Sequence, residues 1–257
     1  MTKLAEPTRL EVGHLAVPTV RIRPQAQILR PTPPPLPHAP WANILCAGLG
    51  RRMYPLTVDI PKCLVEVNGI PILFRSLRAL AKAGVTEAVV VVGHEAEQVR
   101  SRVGTRFAGI DVIYVDAPTY DTTNNIRSLW DARRYCDEDI LLVEGDVVFD
   151  SDVILRLCQE SGSSAAVASN SPDFSGTLVR HDGDGIVTAI ILGQDLRTTG
   201  TEDRKTVNIY LLRAELLQTR VVPELCRQVE SGNVQIYYET VFRDLIADGS
   251  LPDLVAV

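Results

Sequence analysis

The run that decides the fold is ILCAGLGRR, residues 44–52. Its first three residues are apolar, and a short apolar segment bounded by turn residues predicts a buried strand. Gly48 and Gly50 follow at the point where a parallel sheet presents the carboxyl ends of its strands to ligands. Glycines let the backbone approach a phosphate and direct its amides at it, so the run predicts a phosphate site. The third glycine of the dinucleotide-binding fingerprint is absent, and the run does not match the phosphate-binding loop of ATPases.

Strand and helix patterns alternate outward from this run. Strands are predicted at residues 44–46, 88–92, 112–115 and 140–143, with helices at 71–83, 95–107 and 124–135. This alternation predicts an α/β fold with a parallel sheet and right-handed crossovers. After Ser164 the pattern is richer in strands, which are predicted at 165–169, 177–180, 186–192 and 207–212. The sequence Asp182-Gly183-Asp184-Gly185 predicts a turn between two of them.

Residues 1–40 differ from the rest, because nine of the sixteen prolines lie there. Proline fixes φ and removes a backbone donor, so this part predicts an extended linker outside the folded domain of residues 41–257. An alternating stretch, Val17 to Arg23, leaves two alternatives open. It forms either part of a disordered extension or an edge strand in an arm that docks on a partner subunit.

Composition excludes several function classes. The net charge of −6 and the pI of about 5.3 give the chain no basic footprint for nucleic acid. No apolar run approaches the roughly 20 residues that cross a bilayer, and no signal-peptide order is present. The five cysteines have neither the spacing of a zinc site nor that of a disulfide framework. These features predict a cytoplasmic protein with buried thiols.

Two further groups of residues carry candidate chemistry. Arg52 and Lys62 flank a loop bracketed by Pro55 and Pro61, and such a loop could hold the two cations on opposite sides of one polyphosphate. Asp146 follows a predicted buried strand at the sheet's carboxyl edge, where a carboxylate is a candidate ligand for Mg²⁺. The alternatives are solvated surface cations and a helix-capping aspartate.

Residues 45–62 together resemble the signature of nucleotidyltransferases that make nucleotide-activated sugars and alcohols. The resemblance implies a Rossmann-like, three-layer α/β/α fold with a mostly parallel mixed sheet and a small β-rich region that covers the substrate. It also implies that Lys62 contacts the α-phosphate and the acceptor, that Arg52 holds the leaving pyrophosphate and that Asp146 binds Mg²⁺. The nucleotide-binding residues of this run are Leu45, Ala47, Gly48 and Gly50.

The segment DTTNNIRSL, residues 121–129, narrows the choice of nucleotide. It looks like the cytidylyltransferase branch that acts on phosphocholine, aminoethylphosphonate and related small phosphonates, which implies CTP as the donor. Thr123 or Asn124 is placed to cap a helix, and amides there can read a pyrimidine edge. Asn124 and Ser128 are therefore the predicted nucleotide-binding residues of this segment, with simple capping as the alternative.

The acceptor is predicted to be a phosphonate or a simple alkyl phosphate. Choline recognition usually requires an aromatic cage, and both tryptophans, Trp41 and Trp130, lie on predicted core elements. Lys205 matches a family lysine near the acceptor, with a loop lysine as the alternative. Tyr210 and Glu239 complete the predicted substrate-binding residues. Asp195 and Arg197 are weaker pocket candidates.

Related chains usually continue beyond the position of Val257 into a segment that supplies a second metal ligand. The expectation is therefore a domain that is truncated at its C-terminus, replaces this ligand with Glu239 or Asp253, or binds metal poorly. Two other functions stay open: a sugar-1-phosphate nucleotidyltransferase and a nucleotide-binding regulatory subunit without catalysis. A homodimer is compatible with the sequence.

Overall fold

The computed structural model describes residues 39–169, 176–193 and 203–257. The predictions for residues 1–38, and those for Asp195 and Arg197, lie outside these ranges. Trp41 and Trp130, which the sequence analysis placed on core elements, are both half-buried. Within the described ranges, no helix is both long enough and apolar enough to span a lipid bilayer.

Strands and helices alternate through the first half of the described chain. The strands are β1 (Trp41–Leu45), β2 (Glu66–Val67), β3 (Ile70–Pro71), β4 (Glu87–Val92), β5 (Arg106–Phe107), β6 (Ile110–Asp116), β7 (Ile140–Glu144), β8 (Ser164–Ser169), β9 (Leu178–His181), β10 (Val187–Ile191), β11 (Arg204–Leu212) and β12 (Val255–Ala256). The helices are α1 (Ile72–Lys82), α2 (Ala96–Val103), α3 (Asn125–Asp131), α4 (Ser151–Leu157), α5 (Ala214–Leu216), α6 (Val222–Glu230) and α7 (Glu239–Ala247). Short 3₁₀ turns occur at Arg51–Met53, Lys62–Leu64 and Arg133–Tyr135, and a π-helical turn, Leu217–Val221, joins α5 to α6.

The main sheet is mixed, with parallel strands at its centre. Its order is β10-β9-β11-β7-β1-β4-β6-β5. Strands β7, β1, β4 and β6 run parallel, and Ile44 lies opposite both Val90 and Val143. Strand β11 pairs antiparallel with β7, and β8 and β9 pair antiparallel with β11. The β-rich part of the sequence therefore extends the same sheet.

Alternate residues of the central strands face two separate hydrophobic cores. Leu45, Val91 and Leu142 belong to the core that α3, α6 and α7 cover. Ile44 and Val90, each one residue away on its strand, belong to the core that α1, α2 and α4 cover. Burial of each such side chain contributes roughly 1.5–3 kcal/mol, which explains why both faces are covered. The predicted three-layer α/β/α fold is confirmed.

Three predicted helix boundaries need correction. The helix predicted at 95–107 ends at Val103, because Gly104 takes φ 72° and ψ −164°, and the chain continues into β5. Pro71 precedes α1 and pairs with Glu66 instead of occupying the first helical turn. The helix predicted at 124–135 ends at Asp131, after which a 3₁₀ turn carries the chain to Tyr135.

Candidate active site

A cavity of about 950 Å³ opens at the carboxyl ends of β1 and β7. Four parts of the chain line it: the loop after β1, the loop after β7, the start of α3, and the β11 and α7 region. This is the sheet edge where ligands bind in open α/β folds. Eleven residues predicted from the sequence line it: Leu45, Ala47, Gly48, Gly50, Arg52, Lys62, Asn124, Ser128, Asp146, Lys205 and Glu239.

The loop after β1 is anchored at both ends. The Ala47 carbonyl accepts a hydrogen bond from the His94 amide at 3.1 Å. Gly50 takes a left-handed conformation with φ 64°, which favours glycine, and starts the turn Arg51–Met53. The Thr57 hydroxyl donates to the Gly50 carbonyl at 2.9 Å. The loop thus holds a fixed shape, with Gly48 exposed to the cavity.

Lys62 and Asp146 meet although 84 positions separate them in the sequence. The Lys62 Nζ atom and the Asp146 Oδ2 atom form an ion pair, and both side chains stay partly exposed, at 25% and 29%. Lys62 begins a 3₁₀ turn, and Asp146 lies two residues beyond β7. Arg52 is exposed on the cavity wall and forms no ion pair with the described residues. The two predicted cations and the predicted metal ligand therefore share one site.

Gly145 and Gly48 make a matched pair for mutagenesis. A Cβ atom on Gly145 would lie 2.4 Å from Cys46 Sγ and 2.8 Å from the Leu45 carbonyl oxygen, whereas one on Gly48 would meet no atom within 4 Å. We expect Gly145→Ala to lower the free energy of unfolding by at least about 2 kcal/mol, because the buried Cys46 sulfur and the Leu45 carbonyl oxygen both lie too close to the new methyl group. Gly48→Ala is expected to keep the stability and to weaken triphosphate binding. Urea denaturation and nucleotide titration measure the two effects; equal stability of both variants would contradict this packing.

Asn124 and Asn125 connect the start of α3 to the rest of the cavity. The Asn124 side chain accepts from the Asn125 amide at 2.8 Å, which confirms the predicted helix cap. Asn125 Nδ2 donates to Glu144 Oε1 at 2.8 Å, and Asn125 Oδ1 accepts from the Tyr238 amide at 3.0 Å. Asn125 therefore ties α3, the end of β7 and the segment before α7 together.

Removal of the Asn125 amide should loosen this junction. We expect Asn125→Ala to lower the free energy of unfolding by about 2–4 kcal/mol, since the Glu144 carboxyl and the Tyr238 amide each lose their partner. Asn124→Ala is the matched control and should cost about 1 kcal/mol through loss of the cap. Chemical denaturation monitored by circular dichroism compares the two. A smaller loss for Asn125→Ala than for Asn124→Ala would contradict the bridging role.

The carboxyl group of Glu144 has a pKa well above its ordinary value. The pKa of Glu144 is raised to about 8, mainly by burial and also by the nearby Glu239 and Asp146 carboxylates, while the Asn125 hydrogen bond and the charge of Lys62 oppose the shift. Burial also raises the pKa of Glu239, and the charge of Lys205 opposes that shift. The sequence prediction did not assign Glu144 to the site, although the residue lies two positions before Asp146.

Two predicted residues lie elsewhere. Tyr210 is fully buried, does not line the cavity, and packs against Phe242 with ring centroids 5.1 Å apart. Its hydroxyl lies 3.0 Å from Thr206 Oγ1, and its ring belongs to the hydrophobic core that α3, α6 and α7 cover. Asp253 is exposed outside the cavity, which leaves Glu239 as the acid of that pair at the site.

The structure adds Asn208 to the site. It takes a left-handed φ of 58°, in the stretch of β11 where the pairing with β8 shifts between Thr206 and Tyr210. Its side-chain amide donates to Glu239 Oε1 at 3.3 Å. A bulge of this kind re-aims a side chain and has no signal in the alternation of apolar residues.

The carboxyl groups at and near Asp146 fit a Mg²⁺ ion that is shared between the protein and substrate phosphates. Mg²⁺ is usually held by one or two carboxylates together with substrate phosphates and water, and the carboxyls of Asp146 and Glu144 both line the cavity. Among the described residues, no three His, Cys, Asp or Glu side chains form a group that could hold a metal. The site therefore suits an ion that arrives with a triphosphate.

A comparison with protein families identifies the chain's class. Residues 42–232 match the model of the MobA-like NTP transferase domain, so the chain belongs to this family. The resemblance seen in residues 45–62 is thereby confirmed.

Comparisons with single proteins give narrower matches than the family model. The chain is 41% identical over 213 residues to the CMP-5'-(3-aminopropyl)phosphonate synthase of Streptomyces rubellomurinus, which covers 81% of this chain and 34% of that protein. It therefore spans about a third of that relative's length. It is 36% identical over 116 residues to the 2-aminoethylphosphonate cytidylyltransferase of Lancefieldella rimae, with 45% and 46% coverage. The fold is similar to that of the CTP:phosphocholine cytidylyltransferase of Streptococcus pneumoniae, with a TM-score of 0.66, 21% identity, and 86% and 90% coverage.

Proposed function

We propose that the protein transfers CMP from CTP to a small phosphonate or alkyl phosphate and releases pyrophosphate. The observation that carries this proposal is the Lys62–Asp146 pair beside the exposed Gly48 loop. This arrangement sets a cation and a carboxylate next to a loop shaped for phosphates. Relatives named for CMP transfer to phosphonates support the choice of nucleotide and acceptor.

The reaction requires no covalent intermediate on the protein. An oxygen of the acceptor's phosphonate attacks the α-phosphorus of CTP in line, and the bond to the pyrophosphate oxygen breaks. Lys62 faces the α-phosphate and stabilises the charge that develops there, while Arg52 holds the departing pyrophosphate. Mg²⁺ bound by Asp146 and the phosphates would supply further positive charge. The protein itself positions the two substrates and supplies the positive charges of Lys62 and Arg52.

We propose that residues at the start of α3 recognise the pyrimidine base of CTP. Asn124 uses one lone pair of Oδ1 for the Asn125 amide and one N–H of Nδ2 for the Gln235 carbonyl at 3.3 Å. It keeps one acceptor and one donor for a pyrimidine edge. Ser128 lines the same side of the cavity.

A pyrophosphate-release assay tests the proposal. The purified protein is given each of the four triphosphates with phosphocholine, 2-aminoethylphosphonate, 2-hydroxyethylphosphonate or glucose-1-phosphate. We expect release with CTP and at least one phosphonate or alkyl phosphate. Pyrophosphate release with glucose-1-phosphate alone would contradict the proposal. Triphosphate binding without release in any combination would favour a regulatory subunit.

A further inference from the structure

The loop between Arg52 and Lys62 is anchored in the protein at its midpoint. Within the described residues 51–60, eight are exposed, Met53 is half-buried and Thr57 alone is fully buried. Thr57 stands five positions after Arg52 and five before Lys62. A loop with so few buried contacts is held weakly along most of its length. The hold on Thr57 therefore decides where the two cations lie.

His94 supplies this hold through the Thr57 backbone. Its Nε2 atom lies 3.2 Å from the Thr57 carbonyl oxygen, and Nε2 is the donor because a carbonyl oxygen only accepts. The backbone amide of His94 donates to the Ala47 carbonyl at 3.1 Å. One residue thus bonds both to the glycine loop after β1 and to the loop that joins the two cations.

The backbone on both sides of His94 is shaped for these contacts. A Cβ atom on Gly93 would lie 2.7 Å from Tyr120 Cβ and 2.8 Å from the Ala47 carbonyl oxygen, so position 93 has no room for a side chain. Glu95 takes a left-handed φ of 50°, which is unfavourable for a residue other than glycine. Backbone strain of this kind is typical of segments that present a functional residue.

Close contacts lead from Thr57 on to Lys62. The Thr57 hydroxyl donates to the Gly50 carbonyl at 2.9 Å. A Cβ atom on Gly50 would lie 3.0 Å from Thr57 Cγ2 and 3.1 Å from Lys62 Cβ, so Thr57 and Lys62 both pack tightly against Gly50. A displacement of Thr57 therefore reaches Lys62 through Gly50.

We propose that His94 is a positioning residue for CMP transfer. Its hydrogen bond to Thr57 holds the loop so that Arg52 and Lys62 act on one triphosphate. His94 does not line the cavity, so it acts through the loop and not on the substrates. A misplacement of about 1 Å at a reacting group can lower a rate about 10²-fold. This inference rests on the proposed CMP transfer and adds a residue to it.

Two variants of His94 separate its hydrogen bond from its ring. His94→Phe keeps a ring beside Tyr120, whose centroid lies 6.2 Å from that of His94, and removes the donor. We expect kcat to fall about 10- to 10²-fold, with little change in the KM of the acceptor. His94→Gln keeps an N–H donor and should recover most of this loss. A near-normal kcat for His94→Phe, or an equal loss in His94→Gln, would overturn the proposal.

Gln98 and Val58 provide the matched controls. Gln98 Nε2 donates to the Asp59 carbonyl at 2.7 Å, but this bond is exposed, so water replaces it readily. Gln98→Ala should therefore lower kcat less than His94→Phe does. Val58 is 51% exposed on the same loop and does not line the cavity, so Val58→Ser should keep the wild-type rate. Equal losses in all three variants would show a general sensitivity of the loop and overturn the role of His94.

A double-mutant cycle tests whether His94 acts through Lys62. Lys62→Ala is expected to lower kcat by at least about 10²-fold in the wild type but by about 10-fold or less in His94→Phe, because a misplaced lysine has less to lose. A residue that only stabilises the fold would leave the effect of Lys62→Ala unchanged. Two effects that simply multiply would therefore overturn the proposal.

Limited trypsin digestion without nucleotide tests the hold on the loop independently of turnover. Arg51 and Arg52 are exposed, and mass spectrometry identifies cleavage after either of them. We expect cleavage there to be about 5-fold faster in His94→Phe than in the wild type or His94→Gln, because one buried hydrogen bond is lost. Equal rates would overturn the proposed hold even if CMP transfer is observed. A wild-type protein without turnover would instead overturn the proposed function.

Discussion

Replacement of Lys62 by alanine is expected to reduce turnover by at least about 10²-fold, the cost of losing one charge contact in the transition state. Lys62 is the cation that the structure sets against Asp146 on the cavity wall, with its side chain 25% exposed. An ordinary surface lysine has no such position. Steady-state kinetics with saturating CTP and acceptor measure the effect, which should appear in kcat.

Lys82 offers the matched control for this variant. It is an exposed lysine at the end of α1 and does not line the cavity. Lys82→Ala should retain the wild-type rate. A near-normal rate for Lys62→Ala, or an equal loss in both variants, would remove Lys62 from its assigned role.

Asp146→Asn should also lower turnover by at least about 10²-fold, since it removes charge from a candidate metal ligand and leaves Lys62 without its partner. The asparagine keeps the shape of the side chain, so the fold should be retained. A Mg²⁺ titration of the rate separates the two causes. We expect a higher Mg²⁺ concentration at half-maximal rate in the variant.

Asp150 is the matched carboxylate for this experiment. It is exposed, lies four residues further along and makes no capping hydrogen bond at α4. Asp150→Asn should leave the Mg²⁺ dependence unchanged. If Asp146→Asn lowered the rate but kept the wild-type Mg²⁺ dependence, the ion would have to bind elsewhere.

Most of the fold could be predicted from local patterns. The run Val89–Val92 is too rich in β-branched residues for a helix, and it forms the buried centre of β4. The boundary at Gly104 was missed, because Arg106 and Phe107 continue helix-like spacing while the chain pairs with β6. The pairing of distant segments decided that boundary, and spacing along the chain does not report it.

In the candidate site, too, some residues could be predicted from local patterns and others could not. Residues near the glycine loop and Asp146 could be located, because their positions follow the ends of predicted strands. Tyr210 could not be placed, because the irregular pairing around Asn208 breaks the alternation that would assign each side chain to a face. The contacts of Asn125 with Glu144 and Tyr238 join segments 19 and 113 positions apart, which no local pattern encodes.

Direct detection of the product is the sharpest test of CMP transfer by this protein. The protein is incubated with CTP, Mg²⁺ and 2-aminoethylphosphonate, and ³¹P NMR follows the phosphorus atoms. We expect the phosphonate signal to shift as the phosphonate becomes linked to CMP through a P–O–P bridge, with one pyrophosphate formed for each linkage. A phosphonate signal that stays unchanged while CTP is consumed would contradict this transfer.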